Sequence, residues 1–357
     1  MNTDLQVTDH SNIESAAVCT YFKINPPHHH PTTCLWRMSE VERALMDLLN
    51  GRPSSIPLTR YDICRKPSGS SNPCGLGRNV CIIVAAVVFN ASGEVVLIQE
   101  AKKNCHGHWY YPAGRLEPNE TLVEGAKREF EEETGLTFEP STLVHVESHL
   151  IAGYWMRFTF TGYLTGGALK TADKGDKESL QAAWFSMEQL RNSAQHNIML
   201  RSSDFLPIVE KTFQYFTKVP TERYPPILPV LQPHKHMCMR IILVKATENE
   251  IQVLLNMEDT PHFPTIKDAW QADDSLHRLS MDAFESKNYH GTKHILCVEH
   301  VGQPHRTADG VCLNLLTDVQ TNRELANSKY MWHTITHPEV RRLVVERLEW
   351  GMGIPCP

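Results

Sequence analysis

Hydrophobic and polar positions fall into two blocks separated by a proline-rich stretch, Val219–Pro233. In the first block, an unbroken apolar run at Val80–Phe89 and the segment Glu94–Glu100 predict two strands, joined by the turn signal Asn-Ala-Ser-Gly. Thr142–Ile151 and the alternating Tyr154–Gly167 predict two more, and Leu180–Leu190 a strand running into a short helix. The spacing of Val41, Leu45 and Leu48–Leu49 predicts an amphipathic helix over Ser39–Gly51, with Ser39 as cap and Gly51 as stop. Asp204–Lys218 reads as a linking helix. The second block opens with a hairpin at Met239–Asp259. A helix near Ser275–Ser286 follows, then strands at His294–Val301 and Gly310–Val319, the segment Tyr330–Ile335 and a closing helix over Pro338–Gly351.

The two blocks share an element order. "SGEVVLIQEAKKN…YYPAG" parallels "ENEIQVLLNMEDTPHFPTI", and "RFTFTGYL…AAWF" parallels "GVCLNLLT…YMWHTI". The alternatives are a duplicated domain whose second copy has lost the acidic helix of the first, or an unrelated α+β domain. The boundaries expected are a partly disordered N-terminal extension over 1–75 with a short helix at 39–50, and a first α/β domain over 76–195. A helix and proline-rich linker over 196–235 and a second α/β domain over 236–357 complete the chain.

Composition narrows the function classes. The 357 residues carry 35 Lys+Arg against 41 Asp+Glu, a net charge of −6, which gives no basic footprint for duplex nucleic acid. The longest apolar run is half of what a membrane span needs, so no membrane role is expected, and the polar N-terminus has neither signal-peptide nor transit-peptide order. Ten cysteines form no C-x-x-C pair, and Cys81, Cys297 and Cys312 lie in apolar strands. Reduced thiols are expected, hence a cytoplasmic protein, with the nucleus as a second compartment. The triplet His28–His30 lacks spaced partners for a metal site.

The chemistry concentrates in "GRLEPNETLVEGAKREFEEETGL", Gly114–Leu136. Thr121 and Glu124 form a capping box that starts a helix, and Gly135 sits where a left-handed stop belongs. Leu122, Gly125, Ala126 and Phe130 make the buried side. Glu129, Glu132 and Glu133, at i, i+3 and i+4, share a face; their mutual repulsion of a few tenths of a kcal/mol per pair calls for a cation. Hard oxygen donors suit Mg²⁺, with Mn²⁺ as the alternative. Arg128 can orient a carboxylate, with Glu120 as its partner, and Glu131 faces water.

Gly114, Glu120, Arg128, Glu129, Phe130, Glu132, Glu133, Gly135 and Leu136 match every defined position of the Nudix signature, which the stretch therefore resembles. Over about residues 78–190, "RNVCIIV", "VVLIQEAKKNCHGHWYYPAGRLEPNET" and "GGALKT…ESLQAAW" resemble the MutT-homologue 8-oxo-dGDP phosphatases of that superfamily. "PPILP" and "DGVCLNLL" extend the likeness more thinly. Tyr111 stands where an aliphatic residue is expected. The resemblance implies an α/β (α+β) Nudix fold, an α/β/α sandwich with a mixed sheet, followed by a degenerate Nudix-like domain without the box. It also implies hydrolysis of an oxidised purine nucleoside diphosphate. Metal held by Glu129, Glu132, Glu133 and the Gly114 carbonyl would activate a water.

The general base would be one of Glu129, Glu132 and Glu133 or a loop carboxylate; among the latter Glu178 leads, equally readable as a solvated side chain, and Asp176 is weaker. Arg115, Lys102 and Lys103 flank the box and could hold phosphates; Arg115 is favoured, and the two lysines read rather as surface charge. Trp109 and Tyr110 could stack a purine or serve the core. Phe158, Phe160 and Trp184 read as packing. Two other functions stay open: hydrolysis of another nucleoside diphosphate derivative such as ADP-ribose, and a non-catalytic nucleotide sensor. Protein partners are not legible.

Overall fold

The computed structural model describes residues 38–64, 80–149, 154–202, 205–219, 223–247, 249–286, 291–302, 310–319, 324–349 and 354–355. The N-terminal stretch before residue 38, with His28–His30, and the segment 65–79 lie outside them. In chain order the elements are α1 (Glu40–Leu49), β1 (Ile63–Cys64), β2 (Val80–Ala86), β3 (Val95–Glu100), β4 (Trp109–Tyr110), β5 (Ala113–Arg115), α2 (Leu122–Thr134), β6 (Leu136–His149), β7 (Tyr154–Gly167), β8 (Ser179–Phe185), α3 (Met187–Arg191) and α4 (Phe205–Thr217). The second half adds β9 (Cys238–Ala246), β10 (Ile251–Asn256), β11 (Thr265–Lys267), α5 (Ala272–Phe284), β12 (Lys293–Glu299), β13 (Cys312–Asp318), β14 (Tyr330–Thr334), α6 (Pro338–Glu349) and β15 (Ile354–Pro355).

The apolar run at 80–89 becomes β2, the centre of a mixed sheet in the order β5-β2-β7-β6. It pairs parallel with β7 and antiparallel with β5, so both of its edges are hydrogen-bonded. A second sheet, β4-β3-β8, packs beside it. Helix α2 lies across the first sheet, burying Leu122, Ala126 and Phe130 against Ile82, Val84, Phe158 and Phe160. Phe158 and Phe160 are core, and Trp184 packs on its margin, as their alternation predicts.

The second half builds the order β11-β9-β13-β12, extended by β1 and β15, with β10 and β14 paired beside it. Here too the central strand is parallel to one neighbour, β13, and antiparallel to the other, β11. Between β11 and β12 sits α5, a helix of 13 residues, the same length as α2 between β5 and β6. The helix expected near Ser275–Ser286 is thus present, without the three face carboxylates of α2.

Two segments are placed differently from their sequence boundaries. Residues 38–64 are built into the second unit: β1 pairs parallel with β11, and α1 shares a core with Ile242, Val340 and Val344. Glu42 fastens it, accepting from the amides of Thr336 (2.7 Å) and His337 (2.8 Å) while also completing the Ser39 capping box. The proline-rich stretch is likewise packed rather than free. Ile227 is fully buried and its carbonyl accepts from Leu143 N, while Val230 N donates to Val298 O. Proline favours extended backbone, which suits this lining between two sheets.

Candidate active site

The site forms where β5 runs over the last turns of α2. The helix starts at the expected box, with Glu124 N on Thr121 Oγ1 (3.2 Å) and Thr121 N on Glu124 Oε2 (2.9 Å), and ends at Gly135 with φ 73°. Its acidic face divides. Glu131 and Glu132 are exposed, whereas Glu129 and Glu133 are 8% and 2% exposed and turn beneath β5. Ala113 N donates to Glu133 Oε2 at 2.8 Å. A Cβ on Gly114 would overlap the Glu129 carboxylate where it now lies, so the carboxylate keeps this position only with glycine at 114.

Arg128 sets the arrangement. Its Nε and Nη2 grip both oxygens of Glu120 (2.5 and 2.9 Å), and Nη2 also reaches the Arg115 carbonyl (3.0 Å). Its Nη1 bridges Glu129 Oε1 (2.9 Å) and Glu132 Oε2 (3.0 Å). A fork with fixed donors thus ties the loop at Glu120 to two of the three face carboxylates.

Electrostatics favour a cation at this face. Burial pushes the Glu133 carboxyl up to about 8, against the Ala113 amide and Lys102, which favour its charge. Burial also raises Glu129, opposed by Arg128, with Glu132 and Glu178 adding to the rise. Two buried carboxylates beside the exposed Glu132, a glycine-made cradle and all-oxygen donors fit a hard divalent ion.

The face opens into a cavity of about 810 Å³. Of the residues singled out from sequence, Lys102, Tyr110, Gly114, Arg115, Arg128, Glu129, Glu132, Glu133, Asp176 and Glu178 line it. Lys103 and Trp109 do not: Lys103 is exposed, and Trp109 packs edge-on against Phe185 at 4.8 Å between centroids. Asp176 is a loop staple. It accepts from Glu178 N (2.8 Å), Ser179 N (3.0 Å) and Lys170 Nζ (2.7 Å). Burial opposes its charge, yet Lys170 and the two amides hold it down at about 2. Glu178 is left facing the cavity.

Two cavity residues escaped sequence reasoning. Arg157 of β7 is 7% exposed, bonds Glu147 Oε1 through Nε (2.5 Å), donates to the Tyr110 hydroxyl and lies over the Tyr110 and Tyr111 rings. Its signal was a lone charge between the apolar positions of "YWMRFTF". Arg201 bonds the buried Glu100 and stacks on Tyr110 at 4.8 Å; it sits in a loop with no local pattern. Tyr111 is fully buried, stacked on Phe205 and accepting from Tyr110 (2.8 Å), so it backs the cavity wall rather than lining it.

A further group of potential ligands among the described residues, His234, Glu299 and Cys312, lies buried in the second unit. There Glu299 Oε2 meets His234 Nε2 (2.8 Å), and Oε1 accepts from Arg240 (3.1 Å) and Asn314 (3.0 Å). With Arg240 on the carboxylate, this is a closed ion-pair network rather than a cation site. The six described cysteines are free thiols, and no described helix is long and apolar enough to cross a membrane.

Comparison with known proteins agrees with this geometry. Residues 81–207 match the family model described as the NUDIX domain. The chain is 34% identical over 308 residues to the Mus musculus protein named 8-oxo-dGDP phosphatase NUDT18, covering 79% of this chain and 88% of that one. The Homo sapiens protein of the same name is 33% identical over 329 residues, covering 87% and 97%. Among solved structures, a NUDIX hydrolase from Nitrosomonas europaea is similar, with 28% identity, coverage of 38% and 88%, and a TM-score of 0.33. With its signature helix intact and with relatives of this identity matched over most of their length, the chain belongs to the Nudix hydrolase family.

Proposed function

We propose that the chain hydrolyses oxidised purine nucleoside diphosphates, 8-oxo-dGDP among them, to the monophosphates. The observation that carries this is that the Glu129–Glu132–Glu133 face, the cations Lys102, Arg115, Arg128 and Lys177, and the Tyr110–Arg157–Arg201 wall meet in one cavity. Relatives named as 8-oxo-dGDP phosphatases, matched over 88% and 97% of their length, supply the substrate class.

In this reading Glu129, Glu132, Glu133 and the Gly114 carbonyl hold Mg²⁺, or Mn²⁺ in its place. A divalent ion there would withdraw charge from the diphosphate and make water a better nucleophile near neutral pH. The chain's own groups do the rest. Arg115 and Lys102 neutralise the phosphates as charge builds on them. Arg128 keeps Glu129 and Glu132 in place. Glu178 takes the proton of the attacking water, its carboxylate left free because Asp176 carries the loop. Tyr110 is itself buried, packed on Tyr111 and covered by the Arg201 guanidinium, so the partly exposed Arg201 fork, held flat by that ring, is the surface offered to the base. The free thiols support a cytoplasmic location.

The test offers purified protein with Mg²⁺ the substrates 8-oxo-dGDP, 8-oxo-dGTP, dGDP and ADP-ribose, beside Glu132→Gln. Turnover of 8-oxo-dGDP above the others, lost in Glu132→Gln, is expected. Turnover of ADP-ribose alone would overturn the substrate reading, and full activity of Glu132→Gln would overturn the metal-face reading.

A further inference from the structure

Among the described residues, the second unit approaches the entry to the signature helix at Gly302. After β12 the chain reaches Gly302, with φ 100°, where a Cβ would meet Glu120 O at 2.8 Å, Glu120 C at 3.2 Å and Thr121 N at 3.3 Å. Both the backbone conformation and the closeness require glycine. The segment carrying it is anchored: His300 N donates to Val230 O (2.9 Å), and His300 Nδ1 lies 3.1 Å from Gly310 O. What it presses on is the entry to α2. Thr121 is the helix cap, and Glu120 is the residue whose carboxylate holds Arg128, which in turn holds Glu129 and Glu132.

The unit that delivers Gly302 has the same strand order as the one it supports, but its own cradle is filled. Where β5 has Gly114 at its centre, β11 has Ile266, fully buried. The helix positions of Glu129, Glu132 and Glu133 in α2 correspond, counting along two helices of 13 residues, to Leu279, Asp282 and Ala283 in α5. Leu279 and Ala283 are core, and Asp282 accepts from the Tyr330 hydroxyl at 2.6 Å and pairs with Lys329. Side chains thus occupy the space that carboxylates surround in the first unit.

We propose that the C-terminal unit is a second Nudix-type layer kept as a buttress, and that Gly302 is a positioning residue that seats the entry to α2 and so aligns Glu120, Arg128 and the carboxylate face. The inference rests on the reading that this face holds the divalent ion. A backbone displaced at Glu120 carries its carboxylate away from Arg128, and the loosened guanidinium releases Glu129 and Glu132. Metal affinity, rather than nucleotide binding, is the quantity that suffers.

The experiment uses the full chain with Gly302→Ala and Gly302→Val, and Ser148→Ala as a control. Ser148 Oγ makes another bond between the units, to Trp270 O at 2.7 Å, away from α2. Mn²⁺ affinity is measured by calorimetry on the nucleotide-free protein, and amide exchange by mass spectrometry over residues 117–125. Gly302→Val is expected to weaken Mn²⁺ binding about 10–100-fold, the range for loss of a group that orients a metal ligand. It should also speed exchange in that segment, with Gly302→Ala intermediate and Ser148→Ala unchanged. If Gly302→Val does not fold, Gly302→Ala carries the test. Wild-type Mn²⁺ affinity and exchange in the Gly302 variants, or an equal loss in Ser148→Ala, would overturn the proposal. Wild-type Mn²⁺ affinity in Glu132→Gln would instead overturn the reading it rests on.

Discussion

Gly114 leaves the space that the Glu129 carboxylate occupies: a Cβ on residue 114 would overlap that group, with β5 above and α2 below. The glycine is thus fixed by the chemistry of its neighbour rather than by a turn. Replacing it tests whether the carboxylate position matters or only the presence of a carboxylate.

Gly114→Ala should lower kcat by about 100-fold or more, equivalent to about 3 kcal/mol of barrier. The helix and its caps are untouched, so the melting temperature should move by only a few degrees. Steady-state kinetics beside a thermal melt would check this. Unchanged kcat would mean that Glu129 can bind the ion from another rotamer.

The loop carboxylates separate by what holds them. Asp176 is committed to Lys170 and two amides, whereas Glu178 faces the cavity. Glu178→Gln should cost about 10²–10⁴ in kcat, the usual contribution of a general base, and flatten the acid limb of the pH–rate profile. Asp176→Asn should keep that limb while loosening the loop, seen as a higher KM. A retained acid limb in Glu178→Gln would return the role to one of the helix glutamates.

What the sequence could deliver follows from range. The α2 site was legible because its cap, its stop and its three face carboxylates lie within one helix, where spacing dictates geometry. Glu178 was approachable because it sits just before β8. Arg157 and Arg201 were not, since only strand pairing and a returning loop bring them to Tyr110. The same holds for residues 38–64: the helix over Ser39–Gly51 was plain, but its home in the second unit depends on Ile63 pairing with Ile266, about two hundred positions along the chain. The helix α5 was visible as a helix, but that it follows the same strand order as α2 shows only once the strands are paired.

That N-terminal clasp predicts a pH dependence. Glu42 is 2% exposed; burial works against its charge, but the amides of Ser39, His337 and Thr336 and the Thr336 hydroxyl bring it down to about 2. A depressed carboxyl adds stability that is fully present above its unfolded value of about 4.3 and disappears as pH falls through its folded value. The clasp should therefore weaken between about pH 4 and pH 2, by up to about 3 kcal/mol. Glu42→Gln should show lowered stability at pH 7 and a shallower acid dependence. Denaturant titrations from pH 2 to pH 7 would decide it, and parallel curves for the two proteins would remove Glu42 from the account.

Two substitutions separate the bond Arg201 makes to Glu100 from the contact to the base proposed for it. Its guanidinium reaches the buried Glu100 while stacking on Tyr110 at the cavity wall. Arg201→Ala leaves the buried Glu100 without its nearest cation, with Lys102 Nζ still 3.8 Å away, so stability falls and reduced activity there would be ambiguous. Arg201→Lys keeps a cation beside Glu100 but loses the planar face that lies on the ring and the fork that can donate to a base carbonyl. The lysine variant should melt within a few degrees of the parent protein. Its KM for 8-oxo-dGDP should rise about tenfold, the worth of roughly 1.4 kcal/mol, with kcat little changed because the carboxylate face is untouched. A fall in kcat at constant KM would place Arg201 on the transferring phosphate instead of the base.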